Sequence, residues 1–221
     1  MLDIGGESTR PGSCPVGVRE EMDRVIPVVR ALADAGTCVS VDTSKPEVMQ
    51  AAIEAGAAMI NDVNALQARG ALEVVARSGV AACMMHMQGD PRSMQINPQY
   101  NDVVKEVWDF LRQRLDAALA AGIARERLVI DPGFGFGKTL QHNLELLRHL
   151  TRFSELDVPV LVGLSRKSML GTVTGREAGD RTHASVAAAL LARSGGARIL
   201  RVHDVRATRD ALAVYEAVNA A

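Results

Sequence analysis

Short apolar runs, each closed by a polar residue, alternate along the chain with stretches in which apolar residues return every three or four positions. The runs cover residues 2–4, 39–42, 59–62, 82–87, 128–131, 160–163 and 199–204 and are rich in β-branched or sulfur-containing side chains. A parallel strand covered on both faces has no wet side to alternate with, so each run predicts a buried parallel strand. Helical spacing is clearest where Val103, Val107, Leu111, Leu115 and Leu119 recur, and again at Leu140, Leu144, Leu147 and Leu150. A further periodic stretch over 18–32 contains Pro27, which predicts a kinked or split helix.

Strict strand–helix alternation leaves two architectures, an open doubly wound sheet or a closed (β/α)8 TIM barrel. An open sheet gathers its ligand groups at one switch point, whereas a barrel collects them from most strand ends into one mouth. Asp3, Asp42, Asn61, His86, Asp131, Ser165 and His203 all fall at or just after predicted strand ends, which favours the barrel. An eight-stranded barrel of roughly 250 residues needs one more unit than the seven runs supply. Met1 already lies in a strand in progress, so the expectation is one domain, residues 1–221, that is an N-terminally truncated barrel without its first strand, loop and helix.

Composition narrows the function. At ~150 residues per domain, 221 residues make one core. With 25 basic against 26 acidic residues, nothing suggests a polyanionic partner such as nucleic acid. No apolar stretch approaches ~18 residues and no signal-peptide pattern opens the chain, so a soluble cytoplasmic protein off the membrane is expected. Cys14, Cys38 and Cys83 form no CxxC pair, and no HExxH pattern or metal-ligand spacing appears, so no protein-ligated metal is predicted.

Four segments carry candidate chemistry. Residues 131–139, DPGFGFGKT, look like a phosphate loop, but Pro132 stands where a Walker loop needs its first glycine. Two readings remain: an aspartate fixed at a strand end, with glycines that let a flat ligand approach the backbone, or a glycine-rich turn with an ordinary capping aspartate. Residues 5–12, GGESTRPG, place hydroxyls and an arginine in a polar loop suited to an anion or carboxylate. In residues 40–46, SVDTSKP, a cap explains Thr43 or Ser44 but not Asp42. Arg201 and His203 alternate on one face of the last strand, where an inward guanidinium needs a ligand or carboxylate partner. His86 reads equally as a core imidazole or a site residue, whereas His142, His149 and His183 fall in predicted helices as solvent-facing or structural groups.

Taken in order, DIGGESTRPG, SVDTSKP, IND, MMHMQGDP, DPGFGFGK, GLSRKSMLG and RVHD resemble the bacterial dihydropteroate synthase family of folate biosynthesis. The resemblance spans the chain and implies a (β/α)8 barrel. It implies a transferase joining 6-hydroxymethyl-7,8-dihydropterin diphosphate to 4-aminobenzoate, with magnesium arriving on the diphosphate, and a homodimer. It matches Asp42, Asn61, Asp131 and Lys167 to a pterin pocket, with Asp3, Met85 and Gly163 also on the substrate-binding surface. Arg201 and His203 match the diphosphate end, and Thr9, Arg10, Phe136 and Ser165 the aminobenzoate side. Asp42, Lys167, Arg201 and His203 are the residues expected to act on the reacting groups. The family's first strand and its mobile loop have no counterpart here, which implies a poor synthase as written. A binding module without turnover is the competing expectation: a degenerate subunit, or the methyltetrahydrofolate-binding domain of a corrinoid methyltransferase.

Overall fold

A computed structural model describes residues 1–9, 12–90 and 93–220. Its strands are β1 (Leu2–Gly5), β2 (Val39–Asp42), β3 (Met59–Asp62), β4 (Ala81–Met85), β5 (Leu128–Asp131), β6 (Leu161–Val162) and β7 (Ile199–Leu200). The helices that alternate with them are α1 (Val18–Asp34), α2 (Pro46–Glu54), α3 (Ala71–Arg77), α4 (Val103–Ala120), α5 (Leu140–Arg148), α6 (Ser168–Thr174), α7 (Thr182–Ser194) and α8 (Val205–Ala220). Every described strand pair is parallel and joins chain neighbours, with a bridge from Ile130 to Val160 carrying the order from β5 to β6.

Two interleaved sets of side chains explain the continuous apolar runs. One phase of each strand, including Val39, Val41, Ile60, Ala82, Met84, Leu128 and Ile130, packs outward with helix residues such as Val25, Met49, Val107 and Leu146 in one large core. The other phase, Met59, Cys83, Val129 and Leu161 with Ala81 and Ile199, forms a small separate cluster inside the curved sheet. Two apolar layers on opposite faces of one parallel sheet make a (β/α) barrel, whose lumen is filled by side chains.

Residues in the inward phase line up across neighbours: Asp42 with Asn61, Asn61 with Cys83, Met85 with Asp131. The sheet curves enough for Arg201, just past β7, to reach Asp3 on β1 at 2.5 Å, although these two strands each pair on one side only among the described residues.

Several local expectations differ. Helix α1 runs unbroken through Pro27 because that proline sits on the exposed face, where the carbonyl that loses its partner meets solvent. Helix α2 starts at Pro46 after Lys45 with no side-chain cap, and the Thr43 hydroxyl only accepts from Lys45 N at 3.3 Å. Strand β4 stops at Met85, and β6 and β7 keep two paired residues each. No described helix is long and apolar enough to cross a membrane.

Candidate active site

The mouth is built from the last inward residue of most strands, standing on the Met59–Cys83–Val129–Leu161 layer. Asp3 and Arg201 form its centre, with Arg201 donating from Nε to Asp3 Oδ2 at 2.5 Å and lying 3.7 Å from Asp42 Oδ2. Asn61 Nδ2 approaches the same Asp3 oxygen at 3.5 Å. Asp3 Oδ1 and Ser40 Oγ are buried without a hydrogen-bond partner among the described residues. Burial, reinforced by the neighbouring Asp3 carboxylate and only partly opposed by Arg201, pushes the Asp42 carboxyl up to about 7.

On the opposite side of the mouth Asp131 is buried, and its Oδ1 accepts from Gly133 N at 2.7 Å. Burial raises its pKa, against the pull of the Lys167 ammonium and of the Gly133 amide. Lys167 donates to the Phe134 carbonyl and lies 4.6 Å over the Phe136 ring. Burial holds the Lys167 ammonium down at about 8, with Asp131 opposing and Arg201 assisting.

The glycine loop after β5 is fixed by its own Lys138 and by side chains from outside it. Its five consecutive carbonyls accept in turn from Lys138 (Gly133, 2.9 Å), Lys167 (Phe134), Gln95 (Gly135), Lys138 again (Phe136, 3.0 Å) and Tyr100 (Gly137, 3.0 Å). Asn143 Oδ1 takes the Gly135 amide at 2.7 Å. Lys138 is buried, and its third partner is His86 Nδ1 at 2.9 Å, so that nitrogen is the acceptor and the ring proton sits on Nε2. Burial, then the adjacent Lys138 charge, drives the His86 pKa down to about 2 and keeps the imidazole neutral. His86 is therefore the core imidazole of the two readings. Two of the glycines allow close approach to protein: a Cβ at Gly133 would fall on the His86 carbonyl, and with φ of +63° Gly137 would place a Cβ 2.9 Å from Gln88 Cβ and onto its carbonyl.

After β6 the two cations separate. Arg166, with φ +59°, turns outward and grips Asp204 with Nη2 at 2.7 Å and Nε at 3.1 Å, while Lys167 turns inward. His203 meets Ser165 twice, through its backbone N at 3.2 Å and through Nδ1 at 3.0 Å. Gly163 lies beneath Arg201, where a Cβ would sit 3.8 Å from that of Arg201. Met85 is buried beside Asp131 in register. Thr9 is half-buried in the β1–α1 loop, and Arg10 lies outside the described residues. No group of three or more metal-ligating side chains comes together among the described residues.

Sequence reasoning missed the supports. Lys138 closes a glycine run and reads as a surface lysine, and Lys45 reads as a linker to α2. Glu21 had a signal: it falls in phase with Val25 and Val29, an acid on an apolar stripe.

Comparison with known proteins follows the same lines. The family model for pterin binding enzymes matches residues 1–203. The chain is 48% identical over 222 residues to dihydropteroate synthase of Escherichia coli K12, covering 100% of this chain and 79% of the relative. Dihydropteroate synthase of Xanthomonas albilineans with 4-aminobenzoic acid superposes with a TM-score of 0.94 at 56% identity, over 100% of this chain and 80% of that one. The same organism's enzyme in complex with 7,8-dihydropteroate gives a TM-score of 0.91 at 54% identity, over 100% and 82%.

Proposed function

Since the chain belongs to the family of pterin binding enzymes, we propose that it acts as a dihydropteroate synthase, a transferase of folate biosynthesis that condenses 6-hydroxymethyl-7,8-dihydropterin diphosphate with 4-aminobenzoate. The observation that carries the reading is the polarity of the mouth: Asp3, Asp42 and Asn61 gathered around the Arg201 guanidinium on one side, Asp131 with Lys167 on the other, over one apolar floor. A pterin edge presents an N–H and an amino group that the Asp131 carboxylate accepts, while Asn61 and Lys167 offer donors to ring acceptors. Asp3, Met85 and Gly163 complete that surface, and the flat Arg201 guanidinium stacks on the ring or meets the anion.

In the reaction the bond from the exocyclic methylene carbon to the diphosphate oxygen breaks and the pair leaves with diphosphate. The methylene carbon becomes cationic, the arylamine nitrogen supplies the new bond, and its proton is lost to solvent. Asp42 faces the developing cation as a carboxylate, and Arg201 and His203 meet the leaving anion. Thr9, Arg10, Phe136 and Ser165 hold the arylamine in line. The anion end offers donors to phosphate oxygens from Arg201 and His203, and the neighbouring Asp204 carboxylate is held by Arg166. Magnesium fits as a companion of the diphosphate that keeps its waters and supplies charge neutralisation to the leaving group. The reading also includes a cytoplasmic location and a homodimer; the exposed apolar side chains Leu191, Val214 and Val218 on α7 and α8 support the dimer, and sedimentation velocity checks it.

Incubation of the chain with both substrates and magnesium tests the function: release of diphosphate dependent on the arylamine supports it. Retention of pterin without release would assign a binding module instead.

A further inference from the structure

We propose that Lys45 is a positioning residue for the arylamine half of the site, clasping the β1–α1 loop to the start of α2; this rests on the reading of Thr9 above. Lys45 lies three residues beyond Asp42, and its ammonium bonds Glu7 in the loop and Glu21 Oε2 on α1, the latter at 2.5 Å. Glu21 is completely buried and cannot follow the loop outward. Glu7 has a second task, accepting from Val16 N at 3.1 Å, so one carboxylate closes the base of the loop from 7 to 16. Next to it Gly6 lies flat on α1, where a Cβ would come 2.7 Å from Val25 Cγ2 and 2.9 Å from Glu21 Cγ. The Gly6 carbonyl accepts from Arg24 Nη1 at 2.8 Å. Thr9 is two residues past Glu7, so it inherits any movement of the root.

Burial works against the Lys45 charge, but the hydrogen bonds it donates to Glu21 and Glu7, with their negative charge, outweigh it and raise its pKa. A charged Lys45 therefore separates two carboxylates that would otherwise face each other. Without it the buried Glu21 stays, Glu7 is repelled, and the loop swings away from α1. Asp42 and Asn61 stand on strands paired on both sides, so the pterin wall keeps its place. The clasp predicts a selective defect.

Two measurements test it. In Lys45→Met the KM for 4-aminobenzoate should rise about 10-fold or more while the Kd for a pterin analogue changes by less than about two-fold, and Lys45→Arg should recover most of the loss. Hydrogen exchange of segment 7–16, read without substrate, should accelerate in Lys45→Met. Should that variant fail to fold, Glu7→Gln, which keeps the Lys45–Glu21 pair, is read by the same two measurements. Unchanged exchange with unchanged KM, or parallel losses for pterin and arylamine, would overturn the clasp. If the wild-type chain released no diphosphate the functional reading would fail, and the exchange arm would still decide for or against the clasp.

Discussion

Asp42 and Asp131 end two strands of one rim, yet their surroundings set them apart. Asp131 faces Lys167 and holds the Gly133 amide, whereas Asp42 has Asp3 beside it and is pushed up to about 7. A carboxyl with a folded pKa of about 7 against an ordinary 3.8 binds more protons folded than unfolded. The stability it contributes is therefore present when protonated and declines as pH rises from about 4 to about 7. Activity runs the other way if the carboxylate faces a developing cation. The expected kcat/KM profile rises with a midpoint near 7, and Asp42→Asn should abolish that limb and make the decline in melting temperature with pH shallower, the remainder coming from Asp131 and Asp62, whose pKa burial also raises. In Asp131→Asn a donor faces a donor on the pterin edge. Pterin binding should weaken by about 2–3 kcal/mol by calorimetry, with the fold retained because the amide oxygen can still take the Gly133 N–H.

At the scale of elements, the β5–α5 loop behaves as a strut rather than a hinge, since its own Lys138 together with Lys167, Gln95 and Tyr100 holds its carbonyls. Gly137→Ala forces φ +63° on an alanine and drives its Cβ into Gln88, so unfolding in urea should show a loss of roughly 2–4 kcal/mol. Lys138→Met strands the Gly133 and Phe136 carbonyls and His86 Nδ1 together, and a loss of about 3 kcal/mol or more is expected from the same titration. Much of the architecture was legible in sequence, because a buried parallel strand ending at a polar mouth leaves an apolar run with a polar stop. Asp42, Asn61 and Asp131 were readable for that reason. Lys138 was not, because lysine is ordinarily a surface residue and its burial becomes tolerable only once the loop folds its Gly133 and Phe136 carbonyls back onto the ammonium and brings His86 to it. Strands β6 and β7 were read from their apolar runs, but not that each would keep two paired residues, since an apolar run does not report how many of its residues find a ladder partner. Arg166 and Lys167, adjacent in sequence, could be assigned to opposite faces only once the left-handed backbone at Arg166 was seen.

Over the whole molecule, the first and last strands communicate through Arg201, whose guanidinium spans from Asp3 to the neighbourhood of Asp42. In the proposed reaction that residue, with His203, also meets the leaving diphosphate, so the two duties compete. An anion that takes Arg201 must take it from Asp3, and the measured affinity is the difference between the two attachments. Cutting the internal attachment should then tighten anion binding while loosening the fold. Asp3→Asn is expected to bind inorganic diphosphate more tightly than the parent by calorimetry and to melt at a lower temperature; weaker binding together with lower melting would refute the competition. A protein arranged in this way exchanges robustness for grip at a single side chain, and selection for a hardier chain at that position would carry a weaker hold on the anion with it.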